Sequence, residues 1–387
     1  MALSRLAHLA PREWVCAWAS RPHILSSRNR EGLLAKKLPL SLGPAYGAAA
    51  LQIKVHSVNR CPDRESARIR MNATIAHVAE KVRGTKQWAG PSLKLVVLPE
   101  YFLTCYPQGE SVAAWADKAA LEIDGPEYEA LAKIAQDNKI FLAGNAYETD
   151  RHFPGYYFQT CFVVDPAGKV VLRYRRLNSM FAPTPHDVWD KYLDLYGLNG
   201  VFPVARTEIG NLAAIASEEI LYPEIARCFA MRGAEVFIHP TSESGTPQQT
   251  FKDVAKLARA IENMAYLVSC NTGGLHDIDL PQDVGNGGSR IIDFRGNVLK
   301  MAGGGETIYA SCEIDLNALR RARRAPGMNN YLTRLRNQAF ASSYELYEGQ
   351  PANSLLKKDG TLKKPERAHF ADAQARTIER LIKRGLI

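Results

Sequence analysis

The chain has 387 residues, is 46% hydrophobic and 23% charged, and carries a formal net charge of +9. No apolar run reaches the roughly 18 residues of a membrane-spanning helix, and the seven cysteines show no C-x-x-C pair or other metal-ligand spacing. The charge sits at the ends, +5 over residues 1–46 and +9 over 316–387 against −5 for 47–315, so the body offers no basic face for nucleic acid.

Residues 1–47 are rich in Arg and poor in acids, and read as a basic leader with little structure. That composition also suits an organelle transit peptide, but the apolar core of a secretory signal is missing. From residue 48 the pattern becomes regular. AAALQIKVHSV is a strand candidate. ESARIRMNATIAHVAEKVRG predicts a helix, with Ile69, Ala73, Ile75, Ala76 and Val82 near helical spacing. LKLVVLPE is a short buried strand ending at Glu100. GPEYEALAKIAQDNK predicts a helix with Pro126 at its first position and Leu131, Ile134 and Ala135 inward. IFLAGNA is a strand, and YYFQTCFVVD and VVLRYR flank the turn PAGK as a hairpin.

NLAAIASEEILYPEIARCFAMRGAEVFIHP predicts strand, sharp turn, helix and strand. Leu212 to Ala216 form the first strand, Pro223 opens the helix, Gly233 stops it and Val236 to Ile238 follow. FKDVAKLARAIENMA is a helix, YLVSCN a strand, GSRIIDF–RGN–VLKMA a hairpin and TIYASCEID a last strand. Hairpins among strand–helix units predict mixed sheets covered by helices rather than one parallel sheet. No linker divides 48–315, which reads as one domain. Residues 316–387 read as a basic tail, from LNALRRARR to the amphipathic ADAQARTIERLIKRGLI, suited to contact another subunit of a homo-oligomer. Thiols scattered in strands, such as Cys161 and Cys270, point to the reducing cytoplasm.

Three strand ends bear functional groups: Glu100, the cluster Arg173, Arg175 and Arg176, and Ser217. A carboxylate, a cation and a hydroxyl could serve as base, oxyanion stabiliser and nucleophile. Each also has a common structural use, as a turn cap, a surface charge or a helix N-terminal residue.

Six segments in order resemble the carbon–nitrogen hydrolase (nitrilase) superfamily over roughly residues 48–315: AALQIKV, LVVLPEYF, GKVVLRYRRLN, IASEEILYPEIAR, ARAIENMAYLVSCN and GGSRIIDFRGNVL. The resemblance implies an α/β fold, a four-layer α-β-β-α sandwich with mixed sheets, often paired across subunits. It implies hydrolysis of amides, nitriles or carbamoyl amines without a metal or other cofactor. Glu100 matches the family's base. Arg176 stands where the family has lysine, and Ser217 where it has cysteine, with Tyr174-Arg175 and Tyr222-Pro223-Glu224 fixing both registers. Cys228 falls inside the following helix, whereas Cys105, five residues past Glu100, is a second thiol near the cleft. Asp187 or Asp190 is the candidate for a fourth, acidic residue. Tyr101, Glu218 and Glu219 complete the expected pocket.

The two exchanges weaken the family chemistry on paper. A thiol ionises near pH 8.5, about where a nearby cation can capture it, but a serine hydroxyl needs strong base assistance. Arginine does not release a proton near neutral pH, although it can hold Glu100 or brace an oxyanion. The expected function is a hydrolase of non-peptide C–N bonds that acts on a small amide- or nitrile-like substrate through an acyl-enzyme at Ser217. Arg176 and the Glu218 backbone N–H would face the oxyanion. The alternative is a non-catalytic member that binds a metabolite or serves as an oligomeric scaffold. Geometry separates them: a Ser217 hydroxyl within reach of Glu100 favours catalysis, and a Glu100–Arg176 pair filling the cleft favours the alternative. Neither nucleic acid nor a membrane is expected as a partner.

Overall fold

The computed structural model describes residues 45–387 apart from 245, 247 and 348. The expectations for the leader lie outside the described residues. In chain order the first half runs β1 (Tyr46–Ala50), β2 (Val55–His56), α1 (Arg64–Ala89), β3 (Leu93–Val97), α2 (Val112–Ala119), α3 (Pro126–Asn138), β4 (Phe141–Thr149), β5 (Tyr157–Val164), β6 (Val170–Arg175) and α4 (Trp189–Val201). The second half runs β7 (Ala205–Thr207), β8 (Gly210–Ala214), α5 (Pro223–Met231), β9 (Val236–Pro240), α6 (Phe251–Glu262), β10 (Tyr266–Cys270), β11 (Leu275–His276), β12 (Arg290–Ile292), β13 (Val298–Met301) and β14 (Ser311–Ile314). Helices α7 (Leu316–Arg324), α8 (Asn337–Leu346) and α9 (Arg367–Lys383) follow.

The strands form two six-stranded mixed sheets, ordered β14-β1-β3-β4-β5-β6 and β13-β12-β10-β9-β8-β7. Within each, three neighbouring strands are parallel and the outer strands pair antiparallel, β14 with the distant β1 and the others through hairpins or short connections. Side chains alternate across a strand, and the two faces of the first sheet meet different layers. Ala48, Leu95, Phe141 and Cys161 face the second sheet and share a core with Leu212, Val236 and α5 residues Ile225 and Phe229. The intervening Ala49, Val96, Leu142 and Phe162 pack beneath α1, α2 and α3. The result is the expected α-β-β-α order, and all six described cysteines are free. No described helix is long and apolar enough to cross a membrane.

Two local expectations need correction. The strand expected across 48–58 stops at Ala50, and the chain restarts at β2 with a new partner, β11. Gln52 draws it aside: its amide donates to Gly303 O at 2.8 Å and Gly305 O at 2.6 Å. On α1, Ile69 is 67% exposed, and Ala73 and Ala76 also face outward. The buried face carries Met71, Thr74, Ile75, Val78, Val82 and Thr85. Thr74 and Thr85 fit it because their hydroxyls return to the helix carbonyls of Arg70 and Lys81.

The segment after residue 315 is fastened to the body. Arg320 Nε donates to Glu235 Oε1 at 2.7 Å, and Arg323 donates to Ala234 O, Met264 O and Asn263 O. Further on, Leu355 and Phe370 enter an apolar cluster with Phe153, Tyr156, Phe158 and Val188.

Arg175, at the end of β6, is 5% exposed and donates to Asp150 at 2.6 Å and Glu148 at 3.2 Å. Removing it leaves two buried carboxylates short of positive charge. Arg175→Ala is expected to lower the unfolding free energy by about 3–5 kcal/mol. Urea titration would show this as a lower midpoint at unchanged slope; an unchanged midpoint would refute it.

Candidate active site

Glu100 and Arg176 follow β3 and β6 of the first sheet, and Ser217 follows β8 of the second. Strand ends from facing sheets therefore bring them into one buried place. Their exposures are 3%, 8% and 4%.

Burial pushes the Glu100 carboxyl above its ordinary range, against the opposing pull of Arg176, Lys252, Ser217 and Gln159. The Ser217 hydroxyl itself meets Thr241 and Lys252, and the Glu100 carboxyl lies near it. Gln159, on β5, stands between two charges. Its Nε2 donates to Glu100 Oε1, and its Oε1 accepts from Arg176 Nη1 at 2.8 Å. The direct Arg176–Glu100 separation is 3.8 Å, too long for a hydrogen bond.

Arg176 is spent on holding its own loop. Its Nε donates to Asn178 O, and its Nη2 to the Glu218 carboxylate. None of these three contacts is made to Ser217. Glu219 is fully buried, and its Oε1 accepts from the backbone N–H of Leu177 at 2.8 Å and of Asn178 at 3.0 Å. Its Oε2 accepts from Tyr174 at 2.6 Å. Glu218 and Glu219 therefore clamp the β6 end to the Ser217 corner.

Ser217 has φ +47°, the left-handed region that an L side chain adopts only when its surroundings hold it there. The hold is visible. His239 Nε2 donates to Ser217 O at 2.8 Å, and His239 Nδ1 accepts from the Ser269 hydroxyl at 2.8 Å. Burial pushes the His239 pKa down to about 3, so the ring stays neutral and keeps this tautomer. Ser217 Oγ lies 3.3 Å from Thr241 Oγ1 and accepts from Lys252 Nζ at 3.4 Å. Thr241 in turn donates to Glu243 Oε1 at 2.6 Å. Burial alone would raise Glu243, but the Lys256 ammonium, 2.8 Å away, holds it down at about 2.

Tyr101 borders Glu100 and Arg176, and the remaining expected residues lie further out. Tyr101 is half-buried and stacks on Tyr147 with centroids 4.8 Å apart. Asp187 caps a short turn, accepting from Thr184 N at 2.9 Å and from Ser354, and Asp190 is exposed at the start of α4. Neither is brought to the Glu100 carboxylate. Burial pushes the Cys105 thiol up to about 12, and Cys228 lies on α5, also raised by burial. Neither thiol is poised as a nucleophile. Sequence reasoning missed Gln159, His239, Thr241 and Lys252. The available signal was weak: Gln159 is a polar residue on an apolar strand, and His239-Pro240 ends β9 as Glu100 follows β3. Nothing marked Lys252, one lysine at the opening of an ordinary amphipathic helix. Among the described residues no cluster of His, Cys, Asp and Glu could hold a metal ion.

Residues 48–324 match the carbon-nitrogen hydrolase family model. A formamidase of Pseudomonas syringae pv. syringae is 25% identical over 258 residues, 66% of this chain and 69% of that protein. A formamidase of Bacillus cereus is 26% identical over 210 residues, 54% of this chain and 58% of its own length. Saccharomyces cerevisiae Nit3, a member of branch 10 of the nitrilase superfamily, superposes with a TM-score of 0.59 at 20% identity, covering 76% of this chain and 98% of the yeast one. An amidase from Nesterenkonia sp. gives a TM-score of 0.55 at 20% identity over 80% of this chain and all of that one. With its double-sheet fold and this match over most of its length, the chain belongs to the carbon–nitrogen hydrolase family.

Proposed function

We propose that this protein hydrolyses the C–N bond of a small amide through an ester formed at Ser217. The observation that carries the reading is the burial of Glu100 and Ser217 together at the strand ends of facing sheets, with the Glu100 carboxyl raised by burial and Arg176 held off it by Gln159. Formamidases and an amidase among the similar proteins support an amide over a nitrile.

Glu100 takes the Ser217 proton as Oγ bonds to the substrate carbonyl carbon, and the C=O pair moves onto oxygen. Collapse of that intermediate breaks the C–N bond, and the Glu100 proton passes to the departing nitrogen. Water then attacks the ester, again with Glu100 as base. A raised carboxyl is what this work needs. Lifting the pKa of the base towards the working pH makes it accept a proton more readily while it is still ionised. The Glu218 backbone N–H, next along the chain from Ser217, is the candidate oxyanion donor. Arg176, Gln159 and Glu219 position these groups without taking part.

Ammonia release from formamide, short aliphatic amides, nitriles and carbamoyl compounds tests the reading. Wild-type protein is expected to release ammonia from amides. Ser217→Ala and Glu100→Gln are each expected to lose about 10²–10⁴-fold in kcat. A folded wild type that releases none, or release that survives Ser217→Ala, would overturn it, the first result favouring a pocket that binds without turnover.

The pH profile gives a separate check. Glu100 must be ionised to act, so kcat/KM is expected to be low in acid and to rise through the raised pKa of Glu100. The acid limb should lie above the roughly 4.3 of an ordinary glutamate. A limb at or below that value would show that Glu100 is not the base.

A further inference from the structure

We propose that Lys252, supplied from α6, is the catalytic cation of this site and that it stabilises the negative charge formed on Ser217 Oγ. The assignment rests on Ser217 as the nucleophile. Its first support is position. Lys252 Nζ reaches Ser217 Oγ at 3.4 Å, and among the described residues that hydroxyl is its hydrogen-bond partner. The ammonium also acts through space on Glu100, His239 and Glu243.

The second support is the engagement of the other cations. Arg176 is taken up by Asn178, Gln159 and Glu218. Lys256, one helical turn beyond Lys252, is 2% exposed and bound to Glu243 at 2.8 Å and Asp253 at 3.6 Å. One face of α6 thus delivers one lysine to a carboxylate and the other to a hydroxyl. Without Lys252, an alkoxide at Ser217 would form near Glu243 and Glu100 with Arg176 and Lys256 both bound elsewhere.

The third support is the direction of the protons. Thr241 gives its proton to Glu243, so it can only accept from Ser217. Lys252 has no lone pair while charged, so it can only donate to Oγ. The Ser217 proton therefore rests in the bond to Thr241, and on attack it passes to Glu100, the nearby buried carboxylate that can keep it. In the reaction the O–H pair stays on Oγ, the proton moves to Glu100, and Oγ bonds to carbon while the carbonyl pair moves to oxygen. Lys252 keeps its proton throughout. It has three donors on a flexible stem, so it can hold Oγ and the new oxyanion in turn.

A thiol in place of the hydroxyl reports the cation without any substrate. Ser217→Cys and the double variants S217C/K252Q and S217C/K252R would be alkylated with iodoacetamide, a neutral reagent, across a pH range. Peptide mass spectrometry follows the introduced thiol apart from the native cysteines. Losing Lys252 is expected to raise that thiol by about one pKa unit and to slow alkylation at neutral pH about tenfold. Arginine at 252 is expected to restore most of the loss. Identical profiles with and without Lys252 would overturn the assignment.

Turnover of a neutral amide supplies the second readout: Lys252→Gln is expected to lower kcat at little-changed KM. A raised KM at unchanged kcat would make Lys252 a substrate-binding group and overturn its catalytic role. If wild-type protein releases no ammonia but the thiol shifts as expected, hydrolysis fails as the function while the Lys252 charge at Ser217 stands.

Discussion

The burial of the Glu100 carboxylate between two sheets is the constraint on which the rest of the site depends. A carboxylate without water needs donors or cations around it, or it takes up a proton. Here they come from separate elements. Gln159 donates to it from β5, Ser217 lies near it at the corner after β8, and Arg176 and Lys252 act on it through space. Arg176 then needs its own counter-charges, which Glu218 supplies at the corner. Glu219 is buried in turn and is satisfied by Tyr174 and the backbone of Leu177 and Asn178. One buried charge thus recruits a network that ties both sheets together at the same end.

The same network explains how a strained serine is kept. A left-handed Ser217 is unfavourable by about 1–3 kcal/mol and persists only if neighbours over-determine it. The neutral His239 fixes its carbonyl, and the Glu218 and Glu219 side chains fix the residues that follow. Because His239 is held neutral by burial, this hold does not change across the ordinary pH range.

A serine at this corner also changes what the surroundings must provide. A thiolate can form with modest help, whereas an alkoxide needs a base that accepts its proton and a positive charge beside it. The Arg176 guanidinium, with its fixed fork of donors, acts as a brace between Gln159, Asn178 and Glu218. A helix opening from the other sheet places an ammonium at the hydroxyl instead.

The sequence alone determined the order of elements, because buried strands and amphipathic helices leave short-range apolar patterns that punctuation by Gly and Pro divides. It also determined the ends where Glu100, Arg176 and Ser217 stand, since each follows directly on such a strand. The α1 face was misjudged because buried threonines read as polar, and the break after β1 because Gln52 finds its partners some 250 residues away. What only the tertiary structure decided is who meets whom: Gln159 between Arg176 and Glu100, His239 beneath Ser217, and Lys252 at its hydroxyl. These contacts join residues from different strands and helices of facing sheets. Their distances depend on register and packing, and no local spacing in the chain encodes them.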